Sequence, residues 1–315
     1  MKSPIENREE LELSKKLSVE FGETLNVKFE SIKLALLIKV LYRFGMVRAP
    51  NSFIDSHCHL AEPRLEGQLA QFIQESKSKG IRYFIQGGIG PEDWQRQQDL
   101  SNIYPEVIPC FGLHPYWVAD HTEAECEAAL DILCKKLSKS VALGETGLDF
   151  RPHICKGSEA RQIEIFENQI QIANHTGKAL VLHLVQAHDK ALQIFDMQGI
   201  PRNGAMVHAF NGSLPQAEEF LKLGFFLSIG GALLKDSNQR LEQAVAGIPL
   251  ENILVESDSP DQSPPSRQGQ LNHPTTILEV AEKIAILKKV SAKEVLDMSR
   301  QNLEKLFQWK ATTPS

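Results

Sequence analysis

The amino-acid sequence predicts a (β/α)8 barrel that follows an N-terminal extension. Eight short apolar or β-branched runs lie between residues 52 and 260, and longer segments with helix signals separate them. The chain of 315 residues is long enough for one large α/β domain of this kind. Short apolar runs are ambiguous one by one, so the prediction depends on their number and on their alternation with helical segments.

The predicted strands are short and rich in valine, isoleucine and phenylalanine, as expected for buried parallel strands. In chain order they are SFID (52–55), IRYFIQGG (81–88), VIPCFGLH (107–114), VALGETGLD (141–149), ALVLHLV (179–185), AMVHAF (205–210), FFLSIGG (225–231) and NILVESDSP (252–260). A Pro- and Ser-rich loop, residues 257–274, follows the last strand and is long enough to suggest a function.

The segments between the strands carry signals that start and stop helices. These signals are a capping box at Thr122 and Glu125, Ser158 before ARQIEIFENQIQIANHTG, Gly177 as a stop, and a second capping box at Ser291 and Glu294. Strand and helix signals therefore alternate along the chain, as a (β/α)8 barrel requires.

We expect residues 1–45 to form a separate N-terminal extension, helical or poorly ordered, and residues 46–315 to form the barrel domain. The extension begins with the charged MKSPIENREELELSKK and continues with FESIKLALLIKVLYRFG, which has the pattern of an amphipathic helix. Met46 would itself serve as a start, so we expect the extension to have no role in the chemistry. The alternative is a helix that docks on a partner or on a membrane surface.

Composition and charge exclude some classes of function. Lys plus Arg number 34 and Asp plus Glu number 40, so the net charge of −6 gives no basic excess of the kind that marks proteins binding long nucleic acids. If the substrate is a polyphosphate, its charge must be neutralised locally, for example at a metal site. Five cysteines without a CxxC pair favour a reduced, cytoplasmic setting. We expect no membrane span, and no obligate protein partner is evident.

Four imidazoles and two carboxylates fall at the C-terminal ends of the predicted strands, where the chemistry of such barrels lies. They are His57 and His59 (strand 1), Glu145 (strand 4), His183 (strand 5), His208 (strand 6) and Asp258 (strand 8). A His-X-His pair alone occurs by chance in many chains. The pair combined with ligand-type residues on four further strands is a specific pattern, and it predicts a metal centre.

The number and types of these side chains predict two divalent metal ions per chain, Zn, Mg or Mn. Residues two apart on a strand point the same way, so His57 and His59 can hold one ion from one side. Six imidazole and carboxylate ligands are too many for one tetrahedral ion with an open position. Glu145 is the predicted bridge between two ions, and Asp258 is expected to touch an ion and accept a proton from the activated water. Glu145 and Asp258 are thus the predicted catalytic residues.

Other polar residues near the rim are expected to support the predicted ligands, to contact the substrate or to form turns. Asp55 lies two residues before His57 and is expected to orient it. Glu256 shares a face with Asp258 and is either structural or in contact with a metal ligand. Asp149 and Arg151, in GLDFRP, either contact the substrate or form the turn after strand 4. His188 is expected at the surface or the rim.

The chain resembles the TatD family of metal-dependent hydrolases in an ordered series of motifs. The matching segments are FIDSHCHL, GLHP, ALGETGLDF, LVLHLVQAHD, MVHAFNGS, ESDSPD and GQLNHP, and they span about residues 52–308. The late GxxNxP motif is most similar to YjjV-like bacterial members. The resemblance implies a TIM barrel that binds divalent metals through the six residues named above. It also implies that His114 and Asn272 lie near the substrate.

The family includes metal-dependent deoxyribonucleases, some of them 3′-to-5′ exonucleases, and members that remove D-amino acids from tRNA. Two positions depart from its usual pattern. Many relatives carry Arg in an HxR motif on strand 5, whereas this chain reads HLVQ (183–186), so a phosphate anchor is either missing or supplied by Arg151 or Arg267. His273 stands where many relatives have an acidic residue. These departures bear on the substrate more than on metal binding.

The preferred prediction is a deoxyribonuclease that hydrolyses phosphodiester bonds at DNA ends, in the manner of a 3′-exonuclease. The alternative is a D-aminoacyl-tRNA deacylase, or another ester or amide hydrolase with the same two ions, and the altered strand 5 motif favours it. A non-catalytic metal-binding barrel is the third hypothesis. It is disfavoured because every expected type of ligand is present.

Overall fold

The computed structural model describes residues 52–311 of the protein. The N-terminal extension predicted for residues 1–45, with its amphipathic helix, lies outside the described residues. Among the helices of residues 52–311, none is both long and apolar enough to cross a membrane.

Eight parallel strands follow one another around the barrel within this range. They are β1 (Phe53–Cys58), β2 (Ile81–Gln86), β3 (Val107–Ile108), β4 (Leu143–Asp149), β5 (Leu180–Val185), β6 (Ala205–Val207), β7 (Phe226–Ile229) and β8 (Ile253–Val255). Strands β1 to β3 pair in order, as do strands β4 to β8. A backbone bridge between Phe111 and Leu143 joins the two sets. At the other seam, the Asp258 N–H donates to the carbonyl of His57 at 3.0 Å. The predicted (β/α)8 barrel is confirmed.

Helices connect the strands on the outside of the barrel. Those in the described part of the chain are α1 (Leu69–Ser78), α2 (Pro91–Ile103), α3 (Pro115–Asp120), α4 (Glu123–Lys136), α5 (Pro152–Cys155), α6 (Glu159–Thr176), α7 (His188–Gln198), α8 (Leu214–Lys222), α9 (Gln239–Gly247), α10 (Thr276–Lys288) and α11 (Ala292–Phe307). Short 3-10 turns lie at Pro63–Leu65, Leu137–Lys139, Gly231–Leu234, Leu250–Asn252 and Pro265–Arg267.

Most of the predicted helix signals act as expected, but Ser158 precedes α6 without a side-chain capping bond, and the box at Ser291 forms only one of its two bonds. Thr122 and Glu125 form a reciprocal capping box at the start of α4, with the Thr122 N–H donating to the Glu125 carboxylate at 2.8 Å. The Ser291 hydroxyl accepts from the Glu294 N–H at the start of α11. Gly177 ends α6 with a φ of 67°, a left-handed conformation that glycine adopts without steric cost.

Several strands are shorter than their apolar runs. Strand β3 has two residues, and β8 ends at Val255, before the polar ESDSP segment. The chain leaves the sheet there, and Asp258, three residues further on, has a φ of 56°, which a strand does not adopt. In contrast, β1 extends to Cys58 and so contains His57. The predicted ligands therefore lie within β1, β4 and β5 (His57, Glu145, His183) or just beyond the ends of β1, β6 and β8 (His59, His208, Asp258).

The barrel interior is packed with side chains that alternate along the strands. Val181 and Met206 belong to this inner cluster, and Phe307 of α11 closes it from below. His183 lies two residues after Val181 on β5, and His208 lies two residues after Met206, directly beyond the end of β6. Because successive side chains alternate between faces, both histidines point into the barrel at its C-terminal end.

Candidate metal centre

The buried carboxylate of Glu145 lies between two groups of imidazoles. Its Oε1 is 3.0 Å from His59 Nε2 and 3.2 Å from His57 Nε2. Its Oε2 is 2.7 Å from His208 Nε2 and 3.4 Å from His183 Nδ1. Each oxygen therefore faces a different pair of histidines, as a carboxylate that bridges two ions requires.

Asp258 completes the side of the centre that faces β1. Its Oδ1 lies 3.4 Å from His59 Nε2 and 3.7 Å from His57 Nε2. Its Oδ2 accepts a hydrogen bond from the side-chain amide of Gln262. The carboxylate is therefore held with one oxygen toward the imidazoles and the other toward the loop after β8. All six predicted metal ligands meet in one place.

Asp149 lies behind His183 and does not line the cavity. The buried carboxylate contacts His183 Nε2 at 3.1 Å through Oδ2, which leaves Nδ1 of the ring facing Glu145. The same carboxylate binds the guanidinium of Arg151 through its Nε and its NH2 group. Asp149 thus orients a predicted ligand and an arginine together, in place of the direct substrate contact that was one of its two predicted roles.

Glu256 and Asp55 also support the centre from behind. Glu256 Oε1 lies 3.7 Å from His208 Nδ1 and accepts from the Ala209 N–H at 2.6 Å, so of its two predicted roles it has the contact with a predicted ligand. Asp55 was expected to orient the His57 ring. Its carboxylate instead accepts from the N–H and the hydroxyl of Ser257 and so joins β1 to the segment after β8.

His114 faces the same centre from the loop after β3. Its Nδ1 accepts from the Tyr116 N–H at 3.0 Å, and its Nε2 lies 3.2 Å from His183 Nδ1 and 3.7 Å from Glu145 Oε2. Burial holds the pKa of His114 well below its usual value, so the ring is neutral. Because Nδ1 accepts a hydrogen bond, the proton of the neutral ring is assigned to Nε2. His114 therefore presents a donor to the centre, which agrees with a position next to the substrate.

The charges of the centre stabilise one another. Burial disfavours the ionised form of Glu145, but the charges of His208, His57 and His114 hold its pKa well below the usual value. Burial also disfavours a charged His208, yet Glu145 raises the pKa of His208 well above the usual value. The pKa of His59 is likewise raised against burial, by the neighbouring carboxylates of Asp258 and Glu145. An imidazole must lose its proton to bind a metal, so these protons compete with ions.

The donor set fits divalent ions. Within residues 52–311, neither oxygen of Glu145 makes a hydrogen bond of ordinary geometry although both are buried. A buried carboxylate without donors is costly unless cations satisfy it. Three overlapping groups have ligand atoms that all lie within 4.8 Å of one another: His57, His59 and Glu145; His57, His208 and Asp258; and His114, Glu145 and His183. Imidazole and carboxylate ligands suit zinc or manganese, whereas magnesium prefers oxygen.

A cavity of about 990 Å³ opens above the centre. Arg151 lines it, with the guanidinium carbon 5.3 Å from the centroid of the Tyr116 ring. Arg240 of α9 also lines it and donates to the carbonyl of Asn211 at 2.9 Å. The cavity therefore offers two guanidinium groups to an anionic substrate. His188 lies on its lining, in agreement with the predicted rim position.

Two residues expected to contact the substrate lie elsewhere. The buried amide of Asn272 donates to the carbonyl of Ser257, and its oxygen accepts from the hydroxyl of Thr276. These bonds fix the loop after β8 and leave the amide turned away from the cavity. Arg267 donates to the carbonyl of Leu271 and does not line the cavity either. Of the two arginines considered as phosphate anchors, Arg151 lines the cavity and Arg267 does not, whereas Arg240, which the sequence pattern did not indicate, lines it as well.

Gly87, which follows β2, is a further residue that the sequence reasoning missed. A Cβ atom at this position would lie 2.5 Å from His59 Cε1, 2.6 Å from His57 Cε1 and 2.6 Å from Glu145 Oε1. Only glycine leaves room for the three side chains to approach one another there. The pair of glycines that ends the predicted strand 2 was the available signal.

Comparisons with known proteins agree with the motifs. The model of the family described as TatD related DNase matches residues 54–308. The metal-dependent hydrolase YjjV of Escherichia coli K12 is 30% identical over 258 residues, which cover 81% of this chain and 97% of that protein. Human deoxyribonuclease TATDN3 is 28% identical over 263 residues, covering 81% and 94%. The crystal structure of YjjV, at 28% identity, superposes with a TM-score of 0.76 over 82% of this chain and 98% of that one.

Agreement in sequence and in backbone over most of both chains shows that this barrel is a metal-dependent hydrolase. The chain belongs to the TatD family, as its ordered motifs predicted.

Proposed function

We propose that the protein is a deoxyribonuclease that hydrolyses phosphodiester bonds at DNA strand ends with two divalent ions. The observation that carries the proposal is the division of the predicted ligands around Glu145, with His57 and His59 at one oxygen and His183 and His208 at the other. Two divalent ions held by these two groups of residues would suit the hydrolysis of a phosphodiester. The name of the relative TATDN3, a deoxyribonuclease, supports the same substrate class.

Asp258 is the group placed to accept the proton of the attacking water. Bound divalent ions would supply Lewis acidity and lower the pKa of that water. Burial raises the pKa of Asp258, but the hydrogen bond to His59 and the nearby imidazoles lower it below the usual value overall, so the carboxylate is ionised. The amide of Gln262 occupies Oδ2, which leaves Oδ1 as the accepting atom.

Two further side chains are suited to the phosphate. The neutral His114 presents its Nε2–H beside Glu145 and can donate to a phosphate oxygen as negative charge develops there. Arg151 is held by Asp149, so its guanidinium enters the cavity with little freedom left to lose. Both contacts would become stronger as the charge on the phosphate increases.

Action at strand ends agrees with the charge of the protein. The net charge of −6 offers no extended basic surface. Tight binding of a long duplex depends on many cationic contacts to the phosphates. A chain end bound by two ions and two arginines needs far fewer.

Hydrolysis of single-stranded DNA with Mg²⁺, Mn²⁺ or Zn²⁺ tests this function. We expect the wild type to release nucleotides, with a 5′-labelled substrate showing digestion from the 3′ end. Asp258→Asn should lower kcat by roughly a hundredfold or more, because proton acceptance by a positioned side chain typically contributes that much. Asp297→Asn, at a half-buried acid of α11 that pairs with Lys293 away from the centre, is the control and should leave kcat unchanged. Absence of release with every ion would contradict the proposal.

A second candidate is the hydrolysis of a D-aminoacyl-tRNA ester. It is favoured by Val185, which stands at the arginine position of the usual HxR motif and lines the cavity together with Gln186. Parallel assays of DNA cleavage and of D- and L-aminoacyl-tRNA deacylation distinguish the two. A higher kcat/KM for the D-aminoacyl ester than for DNA would favour this candidate.

A further inference from the structure

A second groove, of about 420 Å³, continues the cavity above the metal centre. The two spaces share Gln186, His188 and Gln216 as lining residues, so they form one continuous path. From these residues the groove runs over the first turns of α7, where Lys190 and Gln193 line it. We name this extension the α7 groove. Its volume lies within the usual range for small-molecule sites.

The charged residues of the cavity are unevenly distributed. Arg151 follows β4, Arg240 lies on α9, and Lys190 lines the α7 groove. The carboxylates on the lining that are not predicted metal ligands, Glu62 and Asp261, lie on the opposite side, after β1 and β8. An anionic chain that leaves the metal centre is therefore attracted toward α7 and repelled from the side of β1 and β8.

Two charged residues, Arg64 and Asp189, run against this uneven distribution of charge and weaken it, but they do not reverse it. Arg64 pairs with Asp261 through two hydrogen bonds and with Glu62 through a third. Its guanidinium is therefore committed to those acids, and it does not line the cavity. Asp189 lines the α7 groove beside Lys190, but it is exposed to solvent, which screens its charge.

Gln186 marks the junction of the two spaces. It directly follows β5 and has a φ of 55°, in the left-handed region. A residue other than glycine in this conformation carries a steric cost, and such positions are frequent at functional sites. This backbone places an exposed amide between the cavity and the α7 groove, where it can bond to a phosphate or to a base.

We propose that the α7 groove binds a second nucleotide of the substrate strand and that Lys190 contacts the second phosphate. The inference rests on the proposed function and makes it more specific. The preferred substrate is a strand with at least two phosphates, and the strand leaves the metal centre between β5 and β6. A dinucleotide without terminal phosphates has only the scissile phosphate and therefore offers no second phosphate to Lys190.

The test compares a dinucleotide, a trinucleotide and a longer single-stranded DNA as substrates of the wild type and of Lys190→Glu. The substitution places an acid in the first turn of α7, where the helix dipole favours negative charge, so it should not unfold the protein. The control is Lys305→Glu, an exposed lysine of α11 near the N-terminal end of the barrel. Cleavage of bis(p-nitrophenyl) phosphate by all three proteins verifies that the centre is intact.

We expect the wild-type kcat/KM to rise from the dinucleotide to the trinucleotide. Lys190→Glu should lower kcat/KM for the trinucleotide and the longer strand by about tenfold, through KM, as the reversal of one phosphate contact implies. The dinucleotide and the control should change by less than about twofold. If Lys190→Glu lowers kcat/KM equally for substrates of every length, or if the wild-type kcat/KM does not depend on length, the proposed role of the α7 groove is wrong. The proposed function would still stand. Absence of DNA hydrolysis in the wild type would overturn both.

Discussion

Glu145 shows how single residues build the centre. The carboxylate is fully buried but ionised, because imidazoles surround both of its oxygens. The six predicted ligands could be found in the sequence because each is a ligand-type residue at or just after the end of an apolar run. Asn272 and Arg267 could not be placed in the same way. Their surroundings depend on the path of the loop after β8, which the periodicity of a sequence does not determine.

His273 is a buried histidine with a structural task. Its ring packs on Phe72, with centroids 4.3 Å apart, its Nδ1 accepts from the Thr275 N–H, and its Nε2 lies 3.4 Å from Glu75 Oε2. Burial lowers the pKa of His273 to about 4. The residue that departs from the usual motif therefore holds the loop after β8 against α1 and does not enter the cavity.

The lowered pKa of His273 predicts a loss of stability in acid. Between the usual value of about 6.5 and about 4, the unfolded chain binds more protons at this site than the folded one, so this stabilisation falls as the pH falls through that range. His273→Gln should show a smaller decrease in Tm from about pH 7 to about pH 5 than the wild type, at equal metal content. An equal decrease in Tm in His273→Gln and in the wild type would contradict the conclusion that burial of His273 makes the protein less stable in acid.

At the scale of the elements, the alternation of side chains along a strand explains why His183 and His208 point into the barrel. It does not explain the direction of Glu145. The two histidines share the inner face of their strands with Val181 and Met206, which a period of two predicts. The pairing of β4 with β5 shifts its register between Gly144 and Thr146, and Glu145 lies at this shift. An irregularity of this kind leaves no mark on the hydrophobic pattern, so the inward direction of Glu145 required the structure.

A prediction at the scale of the elements concerns Gly87, which directly follows β2 and lies beneath the centre. Gly87→Ala should lower metal affinity and kcat/KM by roughly tenfold or more, because the added Cβ displaces His57, His59 or Glu145. The matched control is Gly224→Ala, where φ is 77° and no atom lies within 4 Å of the added Cβ. It should cost about 1 kcal/mol of stability through backbone strain and leave metal content unchanged. Equal metal affinity in Gly87→Ala and the wild type would contradict this account of β2.

The whole barrel brings together side chains separated by some two hundred positions along the chain, from His57 to Asp258. Eight strands with their C-terminal ends at one rim explain why this is possible. The sequence could predict the rim but not the direction of the substrate path. Arg240, Gln186 and the α7 groove lie in loops and first turns, whose conformations have no periodic signal. The structure was therefore needed mainly to identify the residues that face the substrate, whereas the sequence already indicated the predicted metal ligands.

Removal of residues 1–45 tests the prediction made for the extension. A protein that begins at residue 46 should retain the kcat and KM of the full chain on single-stranded DNA, because the motifs for metal and substrate all lie after that point. A large loss of activity would contradict the expectation and favour the docking role instead.

The metal content of the saturated protein tests the central claim most directly. After loading with Mn²⁺ or Zn²⁺ and removal of the excess, elemental analysis should find two ions per chain in the wild type and at most one in Glu145→Gln, because the bridging carboxylate is lost. Glu62→Gln, at the rim of the same cavity, is the control and should keep both ions. A wild type that saturates at one ion, or a Glu145→Gln protein that retains two, would contradict a centre bridged by Glu145.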